Sequence, residues 1–180
     1  MPAIAGFSRD NSVKKNFTDH VSANRDSLKI IPSLDQMVLD ITTAIGIQDN
    51  FELKSAEVLN IEASIIHKKR MILYNPVFMD WINKAMRNKW GAYALLAHEI
   101  GHHLNGHTMK NTGSQPELEL EADEFAGSVL QKLGATLEEA QQVMIYISDN
   151  KGSKTHPCRS NRMEAIERGW NKSAQALSSR

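Results

Sequence analysis

The chain has 180 residues, with 21 Lys plus Arg balanced by 21 Asp plus Glu and one cysteine, Cys158. That length suits one domain able to bury its own core, and the balanced charge excludes a global field that would steer it to nucleic acid or an anionic membrane. One cysteine excludes an internal disulfide framework and suits a reducing compartment.

Residues 1–33 are rich in Ser, Asn, Asp and Lys, and Pro32 separates them from a more periodic region. They read as a flexible leader; the functional alternative is an inhibitory segment lying over a downstream site. Residues 1–10 hold only Arg9 as an early basic residue and no apolar run of secretory length, so a cytoplasmic chain is expected; a removed signal would instead make it exported. No stretch approaches the roughly 20 apolar residues of a membrane span, so the chain reads as soluble.

From Leu34 to Ile45 the apolar positions Leu34, Met37, Val38, Ile41 and Ile45 recur at helical spacing, and Gly46 ends the run. Phe51–Lys54, Ile61–Ile66 and Met71–Tyr74 are β-branched or aromatic segments between polar breaks, and they predict a small antiparallel sheet. Lys68-Lys69-Arg70 falls at the expected hairpin turn and reads as a solvated tip.

After Asn75-Pro76 the pattern turns helical: Val77–Asn88, Gly91–Leu104, Pro116–Leu133, Leu137–Ile147 and about Arg159–Trp170. Asn105-Gly106 marks a helix end, and Thr136 with Glu139 forms a capping box. The organisation is a leader (1–33), a folded domain (34–172) and a tail (173–180). The fold class is α+β, mainly helical, with the small sheet ahead of the helix that carries the chemistry.

That chemistry lies in His98-Glu99-Ile100-Gly101-His102. At 3.6 residues per turn, His98 and His102 project from one helical face and reach a single tetrahedral ion, the spacing of a hydrolytic zinc site; Glu99 stands beside the water position as candidate general base. A catalytic zinc needs a third protein ligand. His103 points about 100° away from His102, and His107 does not fit the metzincin spacing, so both read as structural or surface residues. In the acidic run from Glu117 to Glu124, Glu119 and Asp123 lie four apart: Glu119 is long enough to ligate, and Asp123 could accept the other ring N–H of a ligating His. Glu117 with Glu121 has the same spacing, so geometry leaves the choice open, and a solvated face suits Glu117, Glu121 and Glu124.

Taken together, His98-Glu99-x-x-His102, then Glu119-x-x-Ala122-Asp123, then Thr155-His156-Pro157 with Arg162 six residues after the His, resemble the gluzincin peptidases that include HtpX and the CAAX prenyl endopeptidases. The resemblance spans residues 58–170 and includes a His at position 107. It implies a zincin-type metallopeptidase domain holding one zinc ion through His98, His102 and Glu119, with Asp123 behind a ligating His. It also implies that His156 faces the cleft, for oxyanion stabilisation or gating, while Arg162 is expected to pair with a carboxylate near the site or to touch substrate. Those relatives are built into membranes, and this chain shows no spanning segment.

The expected activity is a zinc endopeptidase acting on extended or unfolded polypeptide, by addition to the edge strand at Ile61–Ile66. The alternatives are a non-catalytic zinc-stabilised interaction module, against which Glu99 argues, and a latent peptidase needing activation. Cys158, Tyr93, Tyr146 and the methionines Met71, Met79 and Met86 are read as packing residues outside the site. The sequence leaves the oligomeric state open.

Overall fold

The structure is a computed structural model that describes residues 31–109 and 115–178. Nearly all of the expected leader lies outside the described residues, and so does the inhibitory segment read into it.

Helix α1 (Leu34–Ile45) starts where the Ser33 hydroxyl accepts the Gln36 N–H (3.2 Å) and stops at Gly46, whose φ of 74° takes the chain out of the helix. It buries Met37, Val38 and Ile41 against the domain core. Three strands follow, β1 (Phe51–Ser55), β2 (Ile61–Ile66) and β3 (Lys69–Tyr74), in the spatial order β1-β3-β2.

The sheet is mixed, which corrects the expectation of an antiparallel one: β2 and β3 are antiparallel, but β1 runs parallel to β3. Alternation in sequence reports which face a residue takes, not which strand lies beside it. The central place goes to β3, which buries Met71 and Ile72, while β1 keeps Glu52 and Lys54 toward solvent at one edge. His67 and Lys68, both with positive φ, make the two-residue turn between β2 and β3. Lys69 pairs with Glu52 at 2.7 Å, and Arg70 lies over the Phe51 ring, so two residues of the basic triplet are tied to the neighbouring strand.

Helix α2 (Pro76–Met86) is capped by Asn75, whose side chain accepts the Val77 and Phe78 N–H groups, with Pro76 at the first helical position. Helix α3 (Trp90–Leu104) is buried from Trp90 through His103, the signature of a central helix enclosed on every side. The sheet, α1, α2 and helix α4 (Pro116–Lys132) pack around it.

The segment expected as one helix from Leu137 to Ile147 is two short ones, α5 (Leu137–Gln141) and α6 (Val143–Ile147). The backbone tightens between them, where the Ile145 N–H turns to the Gln142 carbonyl at 3.1 Å and the Asn88 amide holds the Gln142 side chain at 2.9 Å. The expected Thr136–Glu139 capping box is present at the start of α5. Helix α7 (Arg159–Ser178) runs past Trp170 into the segment expected as tail. Trp170 donates its indole N–H to the Ala135 carbonyl (2.9 Å) and Ser173 is buried one turn on, so packing carries the helix beyond Trp170. No helix among the described residues is long and apolar enough to cross a membrane.

Candidate metal centre

Two glycine contacts bring the functional side chains together. On α3, a methyl group at Gly101 would sit 3.0 Å from the Phe125 ring and 3.3 Å from the Ala122 Cα, so glycine lets α3 and α4 approach this closely without crowding the Phe125 side chain. That approach lays Glu119 beside His98 and His102. On α7, a methyl group at Gly169 would meet the Glu124 carbonyl oxygen at 1.8 Å, and the same intimacy brings Arg162 across to Asp123.

His98 Nε2 and His102 Nε2 lie 3.0 Å apart; Glu119 offers Oε2 at 3.4 Å from the first and Oε1 at 3.6 Å from the second. The ligand atoms of these three residues all fall within 4.8 Å of one another, and the three side chains are buried. A tetrahedral zinc bound at 2.0–2.1 Å sets its donors about 3.3 Å apart, so the spacing fits. The donor chemistry fits as well. His98 Nδ1 gives its proton to Asp123 Oδ1 at 2.8 Å, which leaves its Nε2 lone pair facing the other two residues.

Behind His98, Asp123 is clamped by Arg162 through two bonds of 2.7 Å, Nε to Oδ2 and Nη2 to Oδ1. All three side chains are buried. Burial alone would raise the Asp123 carboxyl, but the charges of and hydrogen bonds from Arg162 and His98 overcome it and hold the group below its ordinary range. His98 shows the reverse balance: burial depresses its imidazolium, yet Asp123 and Glu119 raise it to about 9. His102, buried and beside other imidazoles, is pushed well below its usual value. A cation at this point would compete with the His98 proton for the same lone pair.

Glu99 lies fully buried on the same helix. Its Oε2 accepts the Ala63 N–H of β2 at 2.6 Å, while among the described residues Oε1 has no hydrogen-bond partner. Burial raises this carboxyl to about 8 against the lowering effect of the His98 charge.

His156 sits half-buried on the loop between α6 and α7, its Nδ1 within 2.8 Å of the Thr155 hydroxyl, and it is not among the three convergent ligand residues. The loop is folded on itself: Ser153 Oγ accepts the Thr155 and His156 N–H groups, and the Asp149 carbonyl accepts the Arg159 N–H. Cys158 faces Ser160 at 3.1 Å. Tyr93 donates to Asp40 and Tyr146 to the Ala85 carbonyl, so both phenols serve packing contacts.

Three residues matter more than their sequence indicated. His103, buried, donates from Nε2 to the Met71 carbonyl at 2.9 Å and ties α3 to the sheet. His107, also buried, lies 3.0 Å from His102 through their Nδ1 atoms and reaches Glu121 Oε2 through Nε2 at 2.9 Å. Glu121 is therefore engaged rather than merely solvated. For His107 the resemblance to the gluzincins was a signal, and Gly106, with its positive φ, turns the chain after α3.

Residues 115–169 match the model of Peptidase family M48. No curated protein and no solved structure gives a significant match. The M48 segment begins after the His98–His102 helix and contains Glu119, Asp123, His156 and Arg162, so it covers those residues and not the His-Glu-x-x-His motif. Over that segment the chain is similar to a metallopeptidase family, and the buried His98, His102 and Glu119 group is one that could hold a metal ion.

Proposed function

We propose that this chain is a zinc-dependent endopeptidase that cleaves extended or unfolded polypeptide, with one zinc ion held by His98, His102 and Glu119. The observation that carries the reading is the convergence of those three buried donors beside a Glu99 oxygen that no described residue engages. When bound, zinc supplies Lewis acidity toward a peptide carbonyl and acidifies water at the site. Glu99 Oε1 then takes the proton of the attacking water and returns it to the leaving amine, while the Ala63 N–H holds Oε2 in place. A carboxyl raised to about 8 by burial keeps affinity for that proton, and positive charge beside it brings the group toward working pH.

Strand β2 supports the substrate class. It is an edge strand, and its Ala63 N–H points at Glu99, so a peptide pairing with this edge would run past the general base. Main-chain pairing selects extended backbone and tolerates varied side chains. His156 is assigned to oxyanion stabilisation or cleft gating from its loop, and Asp123 with Arg162 to holding His98. Cys158, a free thiol, agrees with a reducing compartment as the place of action.

The test is metal analysis together with cleavage of an unfolded protein by the wild type and by Glu99→Gln. One zinc per chain and a loss of about 10²–10⁴-fold in cleavage for Glu99→Gln are expected. Equal cleavage by both overturns the mechanism, and zinc binding without any cleavage by the wild type points to the interaction module. Full zinc occupancy in Glu119→Ala would remove Glu119 from the ligand set.

A further inference from the structure

We propose that Glu121 and His107 form a relay that fixes the tautomer of His102, so that a carboxylate exposed at the surface positions a buried metal ligand. The proposal rests on the zinc reading of His102, and its test separates the two.

The hydrogen-bond chemistry runs inward from the surface. An ionised carboxylate only accepts, so the 2.9 Å contact between Glu121 Oε2 and His107 Nε2 puts the His107 proton on Nε2. In the neutral ring Nδ1 then carries the lone pair. His102 Nδ1 lies 3.0 Å from it and must donate, which strips the proton from His102 Nε2 and leaves that lone pair facing His98 and Glu119. The rings of His102 and His107 stand 5.1 Å apart between centroids and inclined by 70°, an edge-on arrangement suited to an in-plane bond. His107 is completely buried, so no water can substitute for this acceptor without repacking.

Each ligand imidazole thus has its own outer partner. His98 answers to Asp123, which is buried and clamped by Arg162; His102 answers to His107, whose orientation depends on Glu121, with a side chain 59% exposed. The second arm ends in solvent, and changes made there reach His102 without entering the buried site.

The experiment uses the full chain. Long-range ¹H–¹⁵N NMR reads the tautomers directly: His107 carrying its proton on Nε2 and His102 on Nδ1 are expected, and His107 protonated on Nδ1 overturns the relay. Zinc affinity is then measured by chelator competition. His107→Ala is expected to weaken it about 10–100-fold, and His107→Gln, which can restore an acceptor for His102, to return it to within about threefold of wild type. Glu121→Lys turns a donor toward His107 Nε2 and is expected to weaken zinc about tenfold. Glu117→Lys, which adds the same charge at an exposed position of the same helix, is expected to leave it within about threefold. Unchanged affinity in His107→Ala, or equal effects of the two lysine variants, overturns the relay; because both lysine sites are exposed, that comparison survives a folding defect in His107→Ala. A wild type that holds no zinc but shows the expected tautomers sinks the zinc reading and upholds the relay.

Discussion

Ala63 donates its backbone N–H to Glu99 Oε2 across 2.6 Å, a bond that joins the edge of the sheet to the buried carboxylate of the central helix. The contact is outside the sheet ladder, so Ala63 positions the general base without being needed for strand pairing. Ala63→Pro removes that donor at an edge position where proline is tolerated, and the ring displaces the Glu99 carboxylate. Cleavage is expected to fall by about a hundredfold while zinc content stays at wild-type level, as checked by steady-state kinetics beside metal analysis. Loss of zinc from this variant would mean that the edge strand supports the ligands rather than the base.

Asp123 and Arg162 are a second test of position against stability. Replacing one member of a buried ion pair leaves the other charge without compensation, so Arg162→Met is expected to cost about 3–5 kcal/mol in urea denaturation. Asp123→Asn in the same background relieves the stranded charge. The double variant should therefore be more stable than the sum of the single losses by about 1–3 kcal/mol. Asp123→Asn alone is expected to weaken zinc about 10–100-fold, through His98.

How much of this was legible in the sequence follows from the range of each interaction. Helical periodicity, the Asn75-Pro76 break and the Thr136 capping box are local signals, and the helices follow them, whereas the Ser33 cap goes unrecognised within the segment expected as leader. His98 and His102 share a face because a helix has 3.6 residues per turn. Glu119 could not be told from Glu117 by spacing; the resemblance to the gluzincins chose between them, and the Gly101 contact between α3 and α4 is the physical reason for the proximity. The parallel pairing of β1 with β3 and the engagement of His107 by Glu121 depend on chain reversals that no periodic pattern reports. The continuation of α7 beyond Trp170 likewise depends on packing against a distant loop at Ala135.

The glycine contacts make a stability prediction whose sign opposes local propensity. Within a helix, Gly→Ala ordinarily gains about 1 kcal/mol. At Gly169 the added methyl would lie 1.8 Å from the Glu124 carbonyl oxygen, a backbone atom that cannot rotate away. Gly169→Ala is expected to lose about 2 kcal/mol or more in chemical denaturation, because α7 must move off α4. The same displacement draws Arg162 from Asp123, so zinc affinity should fall in parallel. A stabilised variant would show that the two helices are not held this closely in solution.

Tyr93 and Asp40 provide the pH test, on the side of α3 that faces α1. The phenol donates to the Asp40 carboxylate, and burial together with that negative neighbour holds its proton well above the ordinary phenol range. A group whose folded value is raised contributes stability that is complete below its unfolded value, about 10 for tyrosine, and is lost as pH rises toward the folded value. Tyr93→Phe is therefore expected to cost about 1.5–3 kcal/mol at neutral pH, the scale of a hydrogen bond to a charged group. Between pH 10 and 11.5 the wild type should lose stability faster than the variant, so the gap between their urea midpoints narrows. A gap that stays constant through this window would mean that the tyrosine contributes by packing alone and that its bond to Asp40 adds nothing to the fold.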